Sequence, residues 1–142
     1  MLQFIKRCLE NKEYCMKNFI KLESIRELEA FHERYIFYDG LVKNIHYDIS
    51  GKSLSLRLEC RDRKEQWLIL TILISGITLV HFYEDYGNQE IITFTLRIIR
   101  IQDAGYLLTL DDDSMTDPFI LQKEGCFVVV GHTVSYHEEY EY

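Results

Sequence analysis

The stretch Leu41–Cys60, LVKNIHYDISGKSLSLRLEC, leaves the chain least choice. Two runs alternate apolar and polar residues, and Ser50-Gly51 stands between them, as in a β-hairpin. With Ser50 and Gly51 at the centre of the turn, and Gly51 in its positive-φ position, the register follows. Ile49 then faces Lys52, Tyr47 faces Leu54, Ile45 faces Leu56 and Leu41 faces Cys60, all on one mostly apolar face. Asp48 with Ser53, His46 with Ser55 and Asn44 with Arg57 make the polar face. A slip of one residue would turn one strand's apolar set to the wrong side, so the pattern selects this pairing. Lys43 opposite Leu58 is the one mismatch, which a long Lys stem can tolerate.

The neighbouring segments are placed relative to this hairpin. Residues 2–15 carry a helical stripe at Phe4, Ile5, Cys8, Leu9 and Cys15, and Met16 is an alternative start. Residues 17–22 fit a helix or a short strand. Ser24-Ile25-Arg26-Glu27 is a capping box that opens a short helix at about 25–33, with Ile25, Leu28 and Phe31 as its buried stripe. Tyr38-Asp39-Gly40 is a turn into the hairpin. Trp67–Tyr83 holds no Asp, Glu, Lys or Arg, which raises a membrane span. It is shorter than the roughly 20 apolar residues a helical span needs, and it is rich in β-branched residues. Two buried strands broken near Ser75-Gly76 are therefore expected.

Further on, Glu90–Ile101 alternates as a strand, with a bulge expected where Ile98 and Ile99 break the pattern. Tyr106–Leu110 and Phe119–Gln122 read as strands. Cys126–Tyr136 reads as a last strand with Cys126, Val128, Val130, His132, Val134 and Tyr136 on one face, and His137–Tyr142 as a frayed acidic tail. Strands joined by short turns pair antiparallel. The expected fold is α+β and mainly antiparallel β, with seven or eight strands in a sandwich or partly open barrel and one or two N-terminal helices. At 142 residues one domain is the default, with residues 1–22 a helical extension, 23–136 the β-rich core and 137–142 the tail.

Charge locates the candidate surface. Residues 1–40 hold seven basic and seven acidic side chains, residues 41–110 eight of each, and residues 111–142 one basic and eight acidic. The last segment alone (1 − 8 = −7) accounts for the net charge of −7. This argues against nucleic-acid binding, which needs a basic footprint, and suits a basic protein partner. Ten tyrosines add rigid amphipathic contact area. The partner-binding candidates are Asp111, Asp112, Asp113, Asp117, Tyr136, Glu138, Glu139 and Tyr140.

Catalytic and metal signatures do not emerge. The run Asp111–Asp117 departs from a calcium loop at Met115, at the missing sixth-position Gly and at Gln122. The five His show no HExxH spacing, and His81 and His132 sit among apolar residues. Cys8, Cys15, Cys60 and Cys126 lack CxxC spacing, and no secretory signal opens the chain, so reduced thiols and a cytoplasmic location are expected. No cofactor is expected.

Leu28-Glu29-Ala30-Phe31-His32-Glu33, Ile45-His46-Tyr47-Asp48 and Leu54-Ser55-Leu56 together resemble a group of small bacterial β-rich proteins. These open with a Phe-His-Asp segment before an I-x-Y-D hairpin, with Glu33 here in place of the Asp. Some of the group look like immunity proteins of toxin systems. The resemblance covers roughly residues 28–60 and implies a mainly β fold and a partner-binding role, without catalytic residues. The leading expectation is thus a non-enzymatic, immunity-type protein binding a basic partner. The alternatives are a homodimer formed through a strand edge or the first helix, and a small-molecule binder or enzyme in which His46, His81 or His132 converge on a pocket.

Overall fold

The computed structural model describes residues 18–82, 91–92, 96–101, 105–111 and 116–140. The expected helix over 2–15, Met16, the loop at 85–88, Asp112, Asp113 and residues 141–142 lie outside the described residues. Among these residues ten strands and two helices run in the order β1 (Ile20–Lys21), α1 (Ile25–Arg34), β2 (Tyr35–Asp48), β3 (Ser53–Asp62), β4 (Trp67–Ser75) and β5 (Leu79–Phe82). Then follow β6 (Ile91–Ile92), β7 (Arg97–Ile101), β8 (Gly105–Thr109), α2 (Pro118–Glu124), β9 (Phe127–Gly131) and β10 (Thr133–Tyr140). They form two antiparallel sheets, in the orders β1-β10-β4-β3-β2-β6 and β5-β9-β8-β7. The expected mainly antiparallel α+β fold is borne out as two sheets that share one core, with no closed barrel among the described residues. None of the described helices is long and apolar enough to cross a membrane.

The hairpin pairs as its alternation requires from Asn44↔Arg57 to Asp48↔Ser53. Its turn differs in one respect: Lys52, not Gly51, takes the positive φ, at 51°. Gly51 leaves room for the Asp48 carboxylate that caps the turn, which would have to shift to admit a Cβ there. Farther from the turn Lys43 bulges out, so Val42 pairs with Leu58 and Leu41 with Glu59 rather than Cys60. The bulge removes the Lys43–Leu58 mismatch and keeps Val42 buried. Tyr38-Asp39-Gly40 is an irregularity inside the long β2 rather than a turn before it, with Asp39 at φ 62°.

The Ser24 hydroxyl accepts from the Glu27 amide at 3.1 Å and starts α1 as expected. Leu28 and Phe31 enter the core, but Ile25 is exposed. Phe31 gathers Tyr35, Phe37 and Tyr136 around it, with ring centroids 5.2, 6.3 and 4.9 Å away. The core itself is made by Leu54, Leu56 and Leu58 of β3 and Leu68, Leu70, Ile72 and Ile74 of β4, facing Leu108, Phe127 and Val129 of the other sheet.

Trp67–Tyr83 divides at Ser75-Gly76 as expected, Gly76 having φ 69°. Four other expectations need correction. Phe119–Gln122 is helical: Asp117 caps it by accepting from the Phe119 amide at 2.9 Å, and Pro118 supplies the fixed φ of a first turn. Ile98-Ile99 is not bulged, since β7 keeps a continuous register with β8. Both faces of the four-stranded sheet are apolar there, Ile98 lying in the main core and Ile99 in a second cluster with Leu107, Leu121, Val128 and Val130. The last strand is really two, because β9 belongs to the four-stranded sheet and β10 to the six-stranded one. Residues 137–140 of the expected acidic tail are the far half of β10, paired to β4 through Tyr140↔Leu68.

The two crossings between sheets lie side by side. His132 N donates to the Ser75 carbonyl at 2.9 Å, and the Thr78 amide to that of Val130 at 2.9 Å. Gly105, at φ 105°, passes so close that a Cβ would meet the Gly131 carbonyl oxygen.

Candidate functional site

Side chains alternate across a sheet, so a strand with one buried face must present its other side elsewhere. In the six-stranded sheet the inward set is apolar. The outward set on β2, β3 and β10 is polar, β4 adds Thr71 and Ser75 beside the apolar Trp67, Ile69 and Leu73, and the register aligns these side chains in rows. Asp48, Ser53, Ser75 and Thr133 form one row; His46, Ser55, Leu73 and Ser135 the next; Asn44, Arg57, Thr71 and His137 a third. A groove of about 590 Å³ opens on this surface, walled at one side by Phe19 and at the other by His46 and Asp48.

Its floor is a mixed-charge patch. Glu139 lies between the Arg57 guanidinium and the His137 ring, with its Oε2 3.8 Å from Arg57 Nη2 and its Oε1 3.5 Å from His137 Nε2. The Phe19 ring stacks on the His137 imidazole at 5.5 Å and 21°. Asp48 accepts from the Ser50 hydroxyl and the Gly51 amide, each at 3.0 Å, which holds that wall in place. Ser53, Ser55, Thr71 and Ser75 supply hydroxyls that both donate and accept. His46 and His137 stand three strands apart, roughly 14 Å at 4.7–4.9 Å per strand, too far to act on one atom. Among the described residues no group of three His, Cys, Asp or Glu could hold a metal ion. The patch can bind and orient a polar or charged surface.

Of the described partner-binding candidates from the sequence, Glu139 lies here and the others lie elsewhere. Asp111 accepts from the Cys126 amide at 2.7 Å and the Phe127 amide at 3.2 Å, fixing the start of β9. Asp117 caps α2. Tyr136 is only 4% exposed, and its hydroxyl accepts from Arg34 Nη1 at 2.8 Å. Glu138 points to the inner side, 3.6 Å from Arg34. Tyr140 donates to Asp62 Oδ2 at 3.0 Å, and partial burial together with that carboxylate raises its pKa. The histidine convergence fails as well: the groove holds His46 and His137, while His81 is on β5 and His132 packs over Gly76.

His137, Arg57 and Phe19 were missed. The hairpin half of the groove was visible as a polar face. The other half comes from β10 and the segment before β1, about 80 or more residues away from the hairpin on one side, and no local pattern announces that pairing. Comparison with protein-family models, with curated proteins and with solved structures gave no match for this chain.

Proposed function

We propose that the protein is a non-enzymatic binding domain that holds a basic protein partner against the outer face of its six-stranded sheet. The observation that carries this reading is the groove: charged and hydroxyl side chains are gathered on a rigid sheet, where none of them is needed for the apolar core. The net charge of −7 favours a basic partner through the summed field, whichever residues make contact. An immunity-type role, in which a toxin is neutralised by being occupied, is the form of this reading that the resemblance of residues 28–60 favours.

The test compares three forms of the protein as bait at low salt. Ser55→Arg puts bulk and positive charge in the middle of the groove without touching the core, and Phe119→Ser alters exposed α2 as a control. A basic protein retained by wild type and Phe119→Ser, lost with Ser55→Arg and released by high salt, supports the reading. Equal capture by all three baits moves the site elsewhere, and no basic protein on any bait removes the reading.

A small polar molecule is the second reading. The groove volume falls within the roughly 300–1,000 Å³ of small-molecule sites. Here a fragment library screened by NMR should shift the His46 and His137 ring signals together, and shifts confined to other surfaces would dismiss it.

A further inference from the structure

Among the described residues the strand β7 ends the four-stranded sheet and pairs with β8 alone. An end strand turns alternate backbone groups away from its neighbour, and such an edge is open to pairing with another strand. Here a side chain from another element fills the place of a strand. The Ile98 amide donates to His32 Nε2 of α1 at 3.0 Å, a contact between residues 66 positions apart. The ring can accept at Nε2 only in its neutral form, with the proton on Nδ1. The Leu28 backbone, one turn back, is the ring's polar neighbour on its own helix.

Protonation would set an N–H against the Ile98 N–H. The charged group facing the ring from β7 is Arg97, which repels a second positive charge. The carboxylates of the ring's own helix nearest in sequence, Glu29 and Glu33, are exposed to water. The ring also stands edge-on to Phe31 at 5.6 Å, and Phe31 is in the core. Burial and Arg97 hold the His32 pKa below its ordinary value, against the raising effect of the Leu28 bond.

We propose that His32 is an acid-sensitive latch: neutral, it fastens α1 to the edge strand of the four-stranded sheet, and protonated, it releases that edge. The latch depends on geometry distinct from the groove, so it stands whether or not the groove binds a partner.

Amide hydrogen exchange tests it, read at about pH 7.5 and about pH 5 and corrected for intrinsic rates. The Val129 amide, in the middle of the same sheet, is the reference. In the wild type, protection at Ile98 should fall about tenfold relative to Val129 on acidification. In His32→Gln, where an amide oxygen can accept at any of these pH values, the ratio should stay constant. Parallel loss at Ile98 and Val129, or equal loss in the wild type and His32→Gln, overturns the proposal. A second readout needs no variant: 15N shifts of the His32 ring should report a proton on Nδ1 and a pKa below 6.5. The other tautomer, or titration at or above that value, overturns it too.

Discussion

The thiols of Cys60 and Cys126 meet different surroundings. Cys60 is fully buried on β3, and burial, with Glu138, Asp62 and Glu59 nearby, pushes its pKa up to about 12. Cys126 is exposed ahead of β9. Thiols react as thiolates, so an alkylating reagent at mildly alkaline pH should modify Cys126 in the folded protein and reach Cys60 only in denaturant. Peptide mass mapping reads the two sites separately, and equal rates would contradict this assignment. The alternation of the hairpin places Cys60 correctly. It misleads for Cys126, because the strand starts at Phe127 and the residue before it belongs to a bend held by Asp111. That hold joins positions 15 apart, which no local rule anticipates.

Elements whose signals are local were readable: the hairpin, the Ser24 cap and the break at Gly76. Those that depend on the sheet a segment joins were not. Val128, Val130, Val134 and Tyr136 share one parity, so Cys126–Tyr136 looks continuous. In the fold Val128 and Val130 pack under α2, while Val134 and Tyr136 face the main core, because the chain changes sheets at His132. The crossing relies on Gly105, whose φ of 105° and close approach to the Gly131 carbonyl exclude a side chain. Gly105→Ala should cost more than about 1 kcal/mol, measured as a lower midpoint of urea unfolding at unchanged slope. An unchanged midpoint would show that the corner can open to admit a methyl group.

Across the whole molecule, two groups give stability the same dependence on pH. The carboxyl of Asp62 is held below its ordinary range by the Gln66 amide, the Tyr140 hydroxyl and the Lys64 amide. Its contribution is present above the unfolded pKa of about 3.9 and is lost as pH falls through the folded one. His32, also lowered, binds its proton more readily when unfolded. Its contribution is present above about pH 6.5 and likewise declines on acidification through the folded pKa. Thermal midpoints should therefore drop in two stages, the first below about pH 6.5 and absent in His32→Gln, the second below about pH 4. A flat profile between about pH 7 and pH 5 would remove the first stage.

The placement of β10 has a bearing on how the chain is made. It lies between β1 and β4, joining Ile20 to Tyr136 across 116 positions. During synthesis, β4 emerges with β3 on one side and nothing on the other until residues 133–140 follow. That bare flank carries Ile72 and Ile74, and during the delay it is a site for wrong pairing with another nascent chain. Completion of the six-stranded sheet therefore waits for β10, and yield on overexpression should depend more on the rate of translation and on chaperone supply than on the stability of the finished fold.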